Sequence, residues 1–328
     1  MPTGENAKLQ FEGGQTSYSM EALSNSGDAI TFTSNATLFS GADGASPDVR
    51  PDGLATGGAV SVAVSGGDDV VDIAAMTVYL AGVKTAVSSS ADEAITRASG
   101  DFGSVSSITV TSAGAIAVIQ GTDNTDQTVN DIRDTAGGPP LIPVGSVEIA
   151  QVRTTTNAAG IITSTEIFDT VGIHKERYDS PLYSIVPEDA EVVFNSALQL
   201  IHTGLVPKGV YASYADPIFT DIDLASDFVP SEKSHSVSST QVYGATLGSS
   251  SSSLSQGTFT AYLNDGITDS LVKSKDDNLW FKFFPDRYKT PYILDQGKLG
   301  MARAFPAGDS LSCACTISAS SASVGVEG

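Results

Sequence analysis

Short runs in which apolar and polar residues alternate recur along most of the chain, and that period of two is the signature of half-buried β strands. Ala59–Val64 alternates cleanly and runs into a turn at Ser65–Asp68. Val70–Val87 is ambiguous. Its apolar residues would suit a helix, but Gly82 interrupts it and Thr77–Leu80 is β-prone, so strands with a turn at Ala81-Gly82 are predicted. Ala94–Arg97, Ser106–Thr111 and Ala115–Ile119 continue the series, with Ser112–Gly114 as a hairpin turn. An acidic loop, Gly121–Asp134, precedes Gly137–Pro143 and a strand over Ser146–Val152.

The pattern divides the chain. Residues 1–57 hold a polar lead, strands at Asp28–Thr33 and Ala36–Phe39, and a Gly-, Asp- and Pro-rich loop at Ser40–Gly58. Residues 58–152 are a separate small β domain, and 153–190 are a connector with strands near Gly160–Phe168. Residues 191–328 begin with an alternating strand, Glu191–Ile201, and pass an acidic stretch, Asp216–Asp227. They then reach a long hairpin, Ser234–Leu263, with the serine tract Ser249–Ser253 as its mobile tip. A short amphipathic segment, Gly266–Asn278, predicts a helix. Three further strands follow at Leu279–Phe284, Pro291–Ala304 and Ser310–Ser318, with turns at Pro285-Asp286 and Pro306–Asp309. A two-stranded ribbon as long as Ser234–Leu263 is marginal in water, so it needs something to lie on, and a neighbouring subunit is the natural partner.

Composition agrees with an all-β reading. The 328 residues are 41% hydrophobic, only 17% charged, and rich in glycine and small or β-branched residues. The balance of 17 basic against 38 acidic residues gives −21, which repels DNA, RNA and anionic membranes. Such a charge serves solubility or a salty environment, or else a specific use of the field. No basic, hydrophobic leader opens the chain and no run approaches the ~20 apolar residues of a membrane span, so synthesis and assembly in a cytoplasm are expected.

Candidate chemistry is sparse. Leu311, Cys313, Cys315 and Ile317 share one face of a strand, and Cys-x-Cys without a second pair or a histidine cluster does not complete a tetrahedral metal site. This stripe is expected as buried small hydrophobes. His174, His202 and His235 lie far apart, and no nucleophile elbow, phosphate-binding loop or zinc-protease motif occurs. Asp123, Asp126 and Asp131, or Asp221, Asp223 and Asp227, lack the spacing of a calcium loop and read as solvated acidic loops. No cofactor, metal or catalytic residue is expected.

The order hairpin, helix and β-meander over residues 234–319 resembles the tail tube (major tail) proteins of long-tailed bacteriophages. That resemblance implies a tail-tube-type β-sandwich forming a ring-shaped β-barrel, with a flanking helix, a long hairpin and a C-terminal arm. It implies stacked, hexameric rings around a negatively charged channel through which DNA passes without specific binding, in a virion assembled in the host bacterial cytoplasm. The implied partners are further copies of the chain and other tail proteins: terminator, tape measure, baseplate and, in a contractile tail, sheath. By position, the inter-subunit hairpin would carry Ser234, Val237, Tyr243, Leu247, Ser251, Leu254, Phe259 and Tyr262. Residues 59–150 resemble β-rich phage fibre or baseplate modules through Val78–Val83, the hairpin Ile108–Ile119, and Pro140–Pro143 leading into Glu148–Val152. They would decorate the tube. The competing readings are a fibre, baseplate or capsid-decoration protein and a carbohydrate-binding β-sandwich module. The last normally displays an aromatic platform, whereas the single tryptophan, Trp280, sits mid-strand.

Overall fold

In the computed structural model, which describes residues 6–243 and 245–327, the chain is mainly β, as its alternation predicts. The strands run β1 (Lys8–Ala22), β2 (Ser24–Asn25), β3 (Thr31–Thr33), β4 (Asp48–Pro51), β5 (Gly53–Gly57), β6 (Val60–Val62), β7 (Val70–Ile73), β8 (Met76–Leu80) and β9 (Val83–Val87). Then come β10 (Ser90–Ala94), β11 (Ser104–Val110), β12 (Ile116–Gln120), β13 (Val147–Thr154), β14 (Ile167–Phe168), β15 (Tyr183–Val186) and β16 (Glu191–Phe194). The last group is β17 (Val210–Asp221), β18 (Ala225–Val229), β19 (Lys233–Val242), β20 (Ala245–Leu254), β21 (Gly257–Tyr262), α1 (Ser270–Lys273), β22 (Asn278–Phe284), β23 (Tyr292–Ala304), β24 (Ser312–Ala319) and β25 (Val324–Val326).

They divide between two compact units. The first takes the chain through Tyr18, Leu38–Ser46 and the chain from Tyr214 on; the second takes Ser19–Thr37 and Pro47–Ser213. These boundaries differ from those read off the sequence. Residues 153–190 supply β14 and β15 to sheets of the second unit instead of forming a connector, and 191–213 belong there too. The reason is long-range pairing: β16 pairs with β3, far away along the chain, and no local pattern announces such a partner.

In the first unit the strands run β18-β21-β24-β23-β22-β1-β17, with β25 on the start of β23. The β22–β23–β24 meander is antiparallel, as expected. Alternation sorts its side chains: Leu9, Phe11, Phe259, Leu279, Phe281, Leu299, Cys313, Cys315 and Ile317 bury one common core with Leu271 of α1. Trp280 points the other way into a smaller cluster with Leu38 and Leu294, its indole N–H donating to Phe39 O at 2.8 Å. Buried Glu12 ties this layer together by accepting from Ser40 Oγ, Gly41 N (3.1 Å) and Trp280 N (3.3 Å). Burial still pushes its carboxyl above the ordinary range.

The second unit holds small sheets, β12-β11-β13-β14, β10-β7-β6, β5-β8-β9 and β15-β16-β3-β2. The first three share a core of Leu54, Val71, Ile73, Val78, Ile108, Val110, Ile149 and Val152 among others. The β8–β9 hairpin turns at Ala81-Gly82 as predicted. Both residues have positive φ (49° and 74°), the requirement of a tight primed turn, and a Cβ on Gly82 would meet Met20 Cγ at 2.1 Å. The same unit buries charge: Glu148, 1% exposed, takes Arg133 Nη2, Ser107 Oγ (2.5 Å) and Gln151 Nε2 (3.2 Å).

Several expectations need correction. No sheet closes into a barrel among the described residues. The helix expected over Gly266–Asn278 is the single turn α1, because Asp265 and Asp269 capture the N–H groups of residues 264–268 in local turns and Asp276 turns left-handed at φ 70°. The expected loop Ser40–Gly58 contains β4 and β5, and the acidic stretch Asp216–Asp227 contains the end of β17 and most of β18. Of the strand expected at Asp28–Thr33 only Thr31–Thr33 forms, since Asp28 caps Ile30 and Thr31 N–H at 2.8 Å each. Ala36–Phe39 is irregular, and the runs from Ala94 and Glu191 stop at Ala94 and Phe194.

Asp52 (2% exposed) gives the second unit a pH signature. Burial, against a hydrogen bond from Ala81 N at 2.7 Å, raises its carboxyl to about 7. A raised acid binds its proton more tightly folded than unfolded. Its stabilising contribution is therefore complete below about pH 4 and is lost as pH rises through about 7, by at most roughly 4 kcal/mol. The melting temperature should fall between pH 5 and pH 8, and Asp52→Asn should flatten that slope; calorimetry that finds the slope unchanged in the variant refutes this assignment.

Candidate functional site

The hairpin β19–β20 is the most distinctive element of the surface. Ten residue pairs form it, from Lys233↔Leu254 to Val242↔Ala245, and neither strand pairs with a third among the described residues. Its position corrects the sequence reading. The serine tract is not a tip: Ser249–Ser253 lie within β20, and the strands connect through residues 243–244.

The serines explain why the tract can be a strand. Ser234, Ser236 and Ser238 oppose Ser253, Ser251 and Ser249, and their Oγ atoms bond across the ribbon at 2.8, 2.7 and 2.7 Å. Cross-strand pairs of this kind contribute about 0.2–1 kcal/mol each. The other face carries His235, Val237 and Ser239 opposite Ser252, Ser250 and Gly248. Among the described side chains neither face bears an apolar stripe, and every one of them from Glu232 to Ser253 is exposed. Among the described residues the ribbon therefore has no hydrophobic layer behind it.

Its root is fixed. Ser231 N donates to Asp295 Oδ2 at 2.9 Å and Ser231 O accepts from Ser323 N at 2.7 Å. Glu232 and Ser255 close the base with Ser255 N to Glu232 O (2.9 Å) and Glu232 N to Ser255 Oγ (3.0 Å). Residues 233–264 are also the longest stretch of the chain without Asp or Glu, so the hairpin is free of the negative charge that pervades the rest.

The eight residues expected on one hairpin separate into two groups. Ser234, Val237 (80% exposed) and Ser251 sit on the ribbon, Tyr243 is exposed at its end, and Leu254 is half-buried at its base. Leu247 pairs with Thr240, and its side chain lies outside the described residues. Phe259 and Tyr262 belong instead to β21, within the sheet of the first unit. There Phe259 is buried against Phe281, with ring centroids 5.8 Å apart, and Tyr262 is exposed.

A second feature went unread in the sequence. β18 pairs with β21 on one side and ends the sheet on the other. Beside it opens a groove of about 590 Å³ lined by Lys8, Leu9, Ile222, Phe228, Tyr262 and Phe283 among others, with Phe228 stacked on Phe283 at 4.6 Å. Leu224, just before β18, and Val229, its last residue, are exposed. The local signal is weak: Phe228, next to the acidic stretch, alternates with exposed Asp227 and Val229.

The remaining candidates are tied into the fold. Cys313 and Cys315 are free and buried, Sγ atoms 3.7 Å apart, with Ile317 buried and Leu311 half-buried on the same face. Burial pushes the Cys315 thiol well above its ordinary range, which suppresses the thiolate. His174 lies beside Phe168 and Arg153, His202 Nε2 meets Ser146 O at 2.9 Å, and His235 is exposed on the hairpin. Asp123, Asp126 and Asp131 are engaged by Ser99, Thr128 and Arg153, and Asp221 by Lys8 at 3.0 Å. Among the described residues no cluster of three or more His, Cys, Asp or Glu is placed to hold a metal ion.

No family model, curated protein or solved structure matches this chain.

Because the root closes by itself, replacing Lys233–Leu254 with a two-glycine link should leave the melting temperature within about 2 °C of the parent. A larger loss in thermal denaturation would mean that the ribbon supports the fold from which it projects.

Proposed function

We propose that this chain is a structural subunit that assembles through its β19–β20 hairpin, and that the assembly is the tube of a phage tail. The observation that carries the reading is the ribbon itself: ten paired residues on a fixed root, exposed on both faces and unpaired at both outer edges among the described residues. Unpaired strand edges of that length invite another chain, and a two-stranded ribbon gains stability only when something supports it. Freedom from acidic residues lets it approach a neighbour in a chain of net charge −21 without repulsion.

The antiparallel meander beside the hairpin fits the tail tube resemblance, in which strands of six subunits complete a barrel that one chain leaves open. In that reading the acidic field keeps DNA mobile in the channel, and the second unit, with its own core, decorates the tube. The reading assigns the chain no reaction.

Negative-stain electron microscopy of the purified chain tests this proposal. Rings or tubes with an open channel are the expected result, and the chain lacking Lys233–Leu254 should form few or none. Monomers at high concentration, or trimeric spikes of the kind a fibre protein makes, would overturn it.

A further inference from the structure

Within the second unit a cavity of about 140 Å³ opens between residues 172–181, residues 196–199 and Lys208. A single water needs only about 15 Å³ of such space, so the cavity has room for a small molecule. Two ionisable side chains on its wall are almost sealed from solvent: Lys208 is 4% exposed and Glu176 8%. Buried charges are costly unless each finds a partner.

These two do not find each other, since no ion pair within 4.0 Å joins them among the described residues. The Lys208 ammonium donates to Arg177 O (2.5 Å) and Ser180 O (3.0 Å), which leaves its third proton without an acceptor among the described residues. Glu176 Oε2 accepts the Glu148 N–H at 3.2 Å, and Oε1 accepts no hydrogen bond among the described residues. Lys175 and Arg177 lie on the same wall, neutralised by Asp169 (2.9 Å) and Asp179 (2.8 Å). The lining thus holds three cations and one carboxylate in a chain that is otherwise strongly acidic.

We propose that this cavity binds a small α-amino acid of two or three carbons. The ligand's carboxylate takes the free N–H of Lys208, and its ammonium donates to Glu176 Oε1. Each ligand charge would stabilise the ionised form of a side chain that burial otherwise drives toward neutrality, since burial raises Glu176 and lowers Lys208. This site is independent of the hairpin, so its failure would leave the assembly reading untouched.

Isothermal titration of the full chain with glycine, beside acetate and sulfate, tests the proposal. Glycine should bind with a Kd near or below about 10 mM and acetate at least about tenfold more weakly. Lys208→Met should weaken glycine by at least about tenfold. Because that variant leaves Arg177 O and Ser180 O without their donor and can misfold, Ala197→Trp provides the second arm. Ala197 is an exposed lining residue, and filling its place should abolish glycine binding while leaving the unliganded melting temperature unchanged. No binding of glycine to the parent chain, or undiminished binding in Ala197→Trp, overturns the site. Acetate or sulfate binding as tightly as glycine overturns the role given to Glu176.

Discussion

Main-chain pairing between antiparallel strands is the interaction on which this molecule depends. Every strand must find partners for its N–H and C=O groups, and an edge left open is either shielded or used. In the first unit that requirement is met by long strands from distant parts of the sequence: β1 pairs β22, β22 pairs β23, and β24 joins β23 to β21. Period-two alternation then delivers Phe281, Leu299 and Ile317 to one core and Trp280 to the opposite layer. The hairpin is where the two requirements part company. Its backbone is paired and its serines are bonded across the ribbon, yet no apolar layer backs it among the described residues. A neighbour has to supply what the chain does not.

The second unit solves a different problem, that of polar groups enclosed within small sheets. Glu148 has the fullest set of partners, Arg133, Ser107 and Gln151, yet burial still pushes its carboxyl above the ordinary range. Asp52, Glu176 and Lys208 show arrangements less complete, and burial shifts each of them toward its neutral form as well. Stability, charge and an unfilled cavity thus meet in one unit, whereas the hairpin that carries the assembly reading belongs to the other.

What the sequence made legible follows from the range of the physics involved. Local alternation with sharp turns was readable, and the Leu279–Ser318 meander, the Ala81-Gly82 turn and the Ser112–Gly114 turn all stand where the pattern put them. Long-range pairing was not. β1 is polar over most of its 15 residues and contains Gly13 and Gly14, so its strand character comes from its neighbours and not from its own composition. The serine tract misled for a related reason: serine is a flexible-linker residue alone and a strand residue when another serine stands opposite. The short helix failed because Asp265 and Asp269 hold residues 264–268 in local side-chain-to-backbone turns instead. At the candidate site the hairpin was legible as an object while its register was not, and the Glu176–Lys208 cavity left no trace, because its residues converge only after folding.

The central claim is that the β19–β20 ribbon is unsupported in the single chain and becomes supported by a neighbour on assembly. Amide hydrogen exchange on dispersed and assembled protein tests it most directly. The amides of β19 and β20 should exchange far faster than those of β22–β24 in the dispersed chain and become protected once the protein assembles. Protection equal to that of β22–β24 in the dispersed chain, or none gained on assembly, would contradict the account.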